Sequence, residues 1–458
     1  MDAIFSFVRN FRNLRFEDLS EKVVAITKNT LLDTVGVAIA GTAQRGAEEI
    51  YEIVSEWEMK GRATVICHKR RLPAPYAAQI NATLIHACDY DDVHEKAIVH
   101  PSVITVSTSI AAAEEKGGIG GKEFICALAA GADMICRLGL ALTVNPITTG
   151  FHMTSIFGYI VSALCAGRIL GLTEEEMVNA AGIAYHQCSG NGQAVKDGGL
   201  TKRLGPGFAV RAGIMACIMA KKGLTGAKNI LEGEWGLFHA YFQGRYNRET
   251  LTRDLGEHFE GVNVSIKPYP CCRGVHASID AALELVNKYG IEREEVEEVV
   301  ISTGEANHAL LCLPRERKIR PENPVDTQFS IPWGVGVAIS KRKVGMEYFT
   351  KDALEDREIL SITKRVRTEI EPAFTRTKGD EPAKVRVITK DGRTLSAVVG
   401  HPLGSPERPI SFEECVEKFK SCLAFSRMKI SEEKIKKIVD SIYELEKIRD
   451  VRAIFDLL

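Results

Sequence analysis

The sequence predicts a mainly α protein, with a large all-helical domain joined to a smaller α+β domain. Three observations carry this. From the amino end to about residue 260, small and apolar residues recur at helical spacing between Gly-rich turns, and strand signals are almost absent. Around Val262 the texture changes, because Pro268 and Pro270 interrupt the chain and alternating runs follow. After Ser411 the sequence returns to Glu/Lys-rich helix. At 458 residues the chain is long enough for two or three domains with sizeable cores.

Taken in order, MDAIFSFVRNFRNLRF sets Ile4, Phe5, Phe7, Val8, Phe11 and Leu14 against Arg9, Arg12 and Arg15. Glu17, Asp18 and Glu21 follow at once, so this helix is expected to dock on a core, not on a membrane. Further helices are expected over Leu19 to Ala40, Ala77 to Asp89, Val103 to Glu115, Gly121 to Leu140, Thr154 to Leu170 and Gly207 to Lys222. Thr173, with Glu175 and Glu176 behind it, reads as a helix start. In the second region a helix over Val275 to Lys288 precedes the strand-like EEVEEVVIST. VRVITKDGRTLSAVV then reads as a β-hairpin about Lys390-Asp391-Gly392. The closing helix, KIKKIVDSIYELEKI, is expected to pack back on the helical domain.

Composition narrows the function. Lys and Arg number 59 against 60 Asp and Glu, a net charge of −1, which disfavours a general nucleic-acid binder. Even the richest apolar runs, Ser155 to Leu170 and Phe208 to Ala220, carry Arg168 and Arg211, so a soluble chain without a membrane partner is expected. Twelve cysteines contain no CxxC, which argues against an iron–sulfur cluster or a disulfide framework. Contexts such as FICALAA and MACIMA suit a thiol acting as a small core hydrophobe in a reducing cytoplasm.

The densest constellation is HACDYDDVHEKAIVHPS, with four carboxylates and three histidines between His86 and His100. On a continuing helix His86, Asp89, Tyr90 and Val93 would share a face, and Asp91, Asp92 and Glu95 would point elsewhere. Several readings compete: a solvated acidic turn, acid–base catalysis by Asp and His, a magnesium clamp of Asp91, Asp92 and Glu95, or zinc on His86, His94 and His100. The magnesium reading lacks a second acidic motif on a facing helix, and the zinc reading lacks i, i+4 spacing. His152 precedes a small apolar helix, where a lone histidine is usually a core or capping residue. Lys196, Lys202 and Arg203 sit in a Gly-rich loop suited either to anion capture or to solvent. GGIGGK is a tight turn, since Lys116 and Glu123 break the P-loop pattern. IKPYPCCRGVHAS sets Lys267, Arg273 and His276 around two prolines, with the adjacent Cys271 and Cys272 read as structural.

Taken together, LLDTVGVAIAGT, HACDYDDVHEKAIVHPS, GFHMTS, LTKRLGPGFAVRAG, IKPYPCCRGVHASIDAAL and VITKDGRTLSAVV resemble the MmgE/PrpD family, in order and over nearly the whole chain. The resemblance implies a helical domain of residues 1–262 and 398–458, an α+β lid of residues 263–397, and a homodimer. It also implies lyase chemistry on a small polycarboxylate without metal or cofactor: dehydration of a 2-methylcitrate-like substrate, with epimerisation or cis-aconitate-type decarboxylation as alternatives. Carried over residue by residue, the catalytic set resembles Asp89, His100, His152, Lys202 and His276, and the substrate-binding set Lys267, Arg273 and Trp333. There are departures. Val93 stands where the decarboxylases carry Thr, Gly205 where the family often has His, and Trp333 where the decarboxylase has a pocket Tyr; the stretch to His100 is one residue longer. These point away from a dedicated decarboxylase and leave the substrate open.

Overall fold

A computed structural model describes residues 1–376, 378–379 and 381–458. Helix accounts for 59% of it and strand for 9%, so the mainly α expectation holds. The chain divides into two compact units: unit 1 is Met1–Ala194, Leu200–Ile266 and Ser411–Leu458, and unit 2 is Val195–Gly199 and Lys267–Ile410. Residues 398–410 therefore lie with unit 2.

Unit 1 is built on buried helices. Asp2 caps Ala3–Asn13 by accepting the Ile4 N–H, and the helix buries Ala3, Ile4, Phe7, Val8 and Phe11 while Arg9 and Arg12 stay exposed. Glu21–Gly41, Gly121–Ala141, Met153–Leu170 and Thr201–Lys221 are each long and apolar enough to cross a membrane, yet 72, 89, 89 and 56% of their apolar windows are buried inside the protein. Their apolar surface is spent on one another: Thr201–Lys221 packs on Met153–Leu170 and Ala74–His86, and Met153–Leu170 also meets Pro101–Lys116 and Gly121–Ala141. Contact this close needs glycine. A Cβ at Gly213 would stand 1.9 Å from Ser162 Oγ and 2.7 Å from the Ala163 nitrogen. Thr173 caps Glu174–Tyr185 in a reciprocal box with Glu176, as its pattern suggests. The carboxy-terminal helix Phe412–Leu423 lies on Glu21–Gly41, with Phe419 against Gly36.

Three local expectations change. The helix expected to reach Asp89 ends at His86, because Asp89 adopts a left-handed backbone at φ +50°. The helix expected from Gly207 begins at Thr201, so Gly205 and Pro206 lie inside it and Lys202 is in its first turn. A ribbon of Ala63–Thr64 and Arg71–Leu72 appears where no strand signal was visible, since two-residue strands are too short to show alternation.

Unit 2 holds a four-stranded sheet in the order Val366–Ile370, Val296–Thr303, Ala383–Thr389, Thr394–Val399. The first pair is parallel and the other two are antiparallel. Gly392, at φ +88°, supplies the turn of the expected hairpin. The helix Arg273–Tyr289 contacts both hairpin strands, and Ala383, Val385, Val387 and Thr389 alternate inward.

Gly213→Ala is expected to lower unfolding free energy by about 1–3 kcal/mol, because the added methyl must push apart two packed helices. Urea unfolding checks it, and an unchanged midpoint would show that the interface has slack.

Candidate active site

In unit 1 the ends of four long helices meet the loop of residues 87–100. His86 is the last residue of Ala74–His86; His100 and His152 occupy the cap positions before Pro101–Lys116 and Met153–Leu170; Lys202 is in the first turn of Thr201–Lys221. The loop is tied down by backbone pairing of Val93 with Ser265 and of His94 with Val99. His86 stands 4.9 Å from the His100 ring and 5.6 Å from the His152 ring, centroid to centroid. Lys202 Nζ donates to Asp89 Oδ1, with both side chains largely buried. Three helix amino ends here favour negative charge.

The carboxylates of this loop are inside the protein, with Asp89, Asp91 and Asp92 at 3, 0 and 1% exposure, and each has its own compensation. Asp89 faces the Lys202 ammonium. Asp91 Oδ2 accepts from His86 Nδ1 at 2.8 Å and lies 3.4 Å from His100 Nδ1. Asp92 accepts from the Ser102 N–H at 3.1 Å and the Ser102 hydroxyl at 2.8 Å. Burial, and after it the charge of Asp91, pushes the Asp92 carboxyl up to about 7. From the carboxy-terminal segment, Lys418 pairs with Asp33 at 2.5 Å, donates to the Tyr90 carbonyl at 2.9 Å and stands 3.7 Å over the Tyr90 ring.

Two imidazoles are oriented differently. His100 donates Nδ1–H to the Asp92 carbonyl at 2.8 Å, which fixes its Nδ1 as a donor. His152 Nδ1 is 2.7 Å from Ser155 Oγ. Burial, then the neighbouring His86 and Lys202, holds His152 well below the usual 6.5, so it is neutral at pH 7. A Cβ at Gly205 would lie 2.4 Å from Ser155 Oγ and 3.5 Å from His152 Nδ1, so glycine here leaves room for the serine that orients His152.

Several sequence readings are corrected. The acidic turn is buried, not solvated, and its residues do not continue the helix. Asp91, Asp92 and Glu95 do not form a magnesium clamp among the described residues: they turn to His86, Ser102 and Ser265 respectively. His94 leaves the supposed zinc set for Glu260, 3.8 Å away. The groups whose ligand atoms do converge, within 4.8 Å of one another, are His86, Asp89 and His100. They are the residues able to hold a metal, in competition with the Lys202 ammonium already on Asp89. Arg203 is buried and donates to the Arg45 carbonyl, while the Lys196 carbonyl accepts from Arg317. The sequence reading entertains His86 and Asp91 only as metal ligands, because the sequence shows neither the break after His86 nor the pairing of the two that it allows.

Unit 2 holds the other expected residues. Arg273 donates to the carbonyls of Leu403 and Pro402 at 2.8 and 3.2 Å and to His276 Nδ1 at 3.2 Å. His276 Nε2 in turn donates to the Cys271 carbonyl at 3.2 Å, and its ring lies beside Tyr269. Lys267 is buried. Trp333 is fully buried, and its indole N–H donates to the Tyr348 carbonyl at 3.0 Å. All the cysteines but the half-buried Cys272 are buried.

A chain that combines a helical unit, with a buried Lys–Asp pair among imidazoles, and a smaller α+β unit has counterparts in known families. The MmgE/PrpD N-terminal domain matches residues 6–249 and the MmgE/PrpD C-terminal domain residues 269–445. The chain belongs to the MmgE/PrpD family. It is 28% identical to the cis-aconitate decarboxylase of Aspergillus terreus over 97% of this chain and 94% of that one. It is 25% identical to the Homo sapiens cis-aconitate decarboxylase over 99% and 94%. To the 2-methylcitrate dehydratase of Salmonella typhimurium it is 26% identical, over 58% of this chain and 56% of the other. Similarity to the decarboxylases is thus the more extended.

Because Asp92 titrates near 7 when folded and near 3.8 when unfolded, it costs stability as pH rises from about 4 to 7, and the cost is constant above that. Asp92→Asn is expected to gain on the native protein by a few kcal/mol between pH 5 and pH 8. Paired melting curves at the two pH values test this, and parallel shifts would refute it.

Proposed function

We propose that this protein is a lyase acting on a small polycarboxylate by proton transfer at the carbon next to a carboxylate. The observation that carries the reading is the buried Lys202–Asp89 pair with the His86, His100 and His152 rings gathered beside it. Removing such a proton builds negative charge on the carboxylate, which the Lys202 ammonium and the helix amino ends are suited to meet. Neutral His152 is suited to take the proton, and His100, as an imidazolium carrying its second proton on Nε2, to deliver that proton to the departing group. Groups whose surroundings separate their protonation states suit acid and base roles in one reaction.

Dehydration of a 2-methylcitrate-like tricarboxylate is the first reading, since loss of water uses both a base and a proton donor. Decarboxylation of a cis-aconitate-like substrate is the second, favoured by the full-length similarity to decarboxylases. It needs only a donor for the carbanion that carbon dioxide leaves behind. A reducing, cytoplasmic setting and a homodimer belong to the same reading, the former in keeping with thiols buried as small core side chains.

Proton NMR of chelator-treated protein in D₂O with 2-methylcitrate, citrate, cis-aconitate and aminodicarboxylates tests this. New vinyl signals mean dehydration, loss of carbon dioxide decarboxylation, and deuterium incorporation without net change epimerisation. No change with any of them until a metal is restored would overturn the metal-independent reading. Lys202→Ala is expected to lower kcat/KM by ~10²–10³-fold, and full retention would remove Lys202 from the chemistry. Because His152 is neutral well below pH 6.5, kcat/KM should hold on the acid side past that value and fall only as pH drops through its depressed pKa. An acid limb centred at 6.5 or above would assign the base elsewhere.

A further inference from the structure

Asp91 is a carboxylate of the loop placed between two rings of the cluster. Its Oδ2 accepts from His86 Nδ1 at 2.8 Å and stands 3.4 Å from His100 Nδ1, and the Asp91 and His86 side chains are fully enclosed. A carboxylate only accepts, so the His86 proton facing it is on Nδ1; the Asp92 carbonyl sets the same tautomer on His100. Desolvating an ion pair for stability alone is a poor exchange, since apolar side chains of similar volume usually serve as well or better. What such a carboxylate supplies instead is orientation, together with stabilisation of an imidazole at the moment it gains a proton.

We propose that Asp91 is a positioning residue of the active site, holding His86 with its Nδ1 proton turned toward the carboxylate and standing beside the His100 Nδ1 that donates to the Asp92 carbonyl, and that His86 thereby belongs to the proton-handling group. This rests on the acid–base reading given above. Asp89, Asp92, Lys202 and His152 also surround the two rings: Asp89, which comes within 4.8 Å of a nitrogen on each ring, meets Lys202, Asp92 meets Ser102, and His152 meets Ser155. Asp91→Asn keeps the shape and one acceptor but removes the charge and offers an N–H to the ring, so the enforced tautomer is lost.

The test is Asp91→Asn in the full chain, with kcat and KM on whichever polycarboxylate turns over, and ¹⁵N NMR of histidine-labelled protein to read ring tautomers. A loss in kcat of ~10²-fold or more with KM within threefold, together with transfer of the His86 proton from Nδ1 to Nε2, supports the proposal. Unchanged tautomers with kcat within threefold overturn it, as does a change confined to melting temperature. If Asp91→Asn does not accumulate folded, His86→Gln replaces it: a tenfold or greater loss of kcat with His100 still protonated on Nδ1 supports the assignment, and full kcat overturns it. The tautomer readout needs no substrate. If no polycarboxylate reacts, the lyase reading fails and the spectra still decide the role of Asp91.

Discussion

Burial of three carboxylates within four residues, Asp89, Asp91 and Asp92, is the constraint on which this end of unit 1 is built. Each desolvated carboxylate costs several kcal/mol unless it is met, and the three are met in three ways. An ammonium neutralises Asp89, two imidazoles flank Asp91, and Asp92 keeps a proton up to neutral pH while accepting from Ser102. Lys202 comes from a helix 113 residues away from Asp89, whereas His86 and Ser102 stand 5 and 10 residues from the carboxylates they meet, on the helices that flank the loop. The site is therefore a property of how the helices pack, and a lost partner would leave a buried charge unpaired.

The same constraint explains why the carboxy-terminal segment returns to the helical unit. Lys418 joins Asp33, the Tyr90 carbonyl and the Tyr90 ring, so one ammonium ties Glu21–Gly41, the acidic loop and Phe412–Leu423 together. Tyr90 lies between the residue that pairs with Lys202 and the one that pairs with His86, so this tie restrains the loop's course on both sides. Left-handed Asp89 makes that course possible by turning the chain away from the helix axis immediately after His86.

Function follows from giving chemically similar groups different surroundings. The imidazoles sit within about one ring's width of each other, yet His86 faces a carboxylate, His100 a carbonyl, and His152 a serine hydroxyl in a site that disfavours its charge. Such differences let one group take a proton while another gives one. Where this chain departs from its family's pattern, the departures touch the same supports. Gly205 leaves space for the serine that orients His152, and Val93 anchors the loop through its backbone pairing with Ser265.

What the sequence by itself determined is the class of fold and the residue types available: the 3.6-residue pattern of the amino-terminal helices, the Thr173 cap, the Lys390-Asp391-Gly392 hairpin, and an ordered set of motifs recognisable as a family. These are local regularities, and a local regularity is visible in one dimension. Only the tertiary structure decided that the acidic run is buried, that Glu95 and His94 leave the cluster, and that His86 and Asp91 enter it. It also moved the start of the Lys202 helix to Thr201, past the Gly205-Pro206 pair that reads locally as a loop. The physical reason is that a charge's worth depends on its surroundings, and those are set by partners such as Lys202 and Lys418, 113 and 328 residues distant from the loop groups they hold.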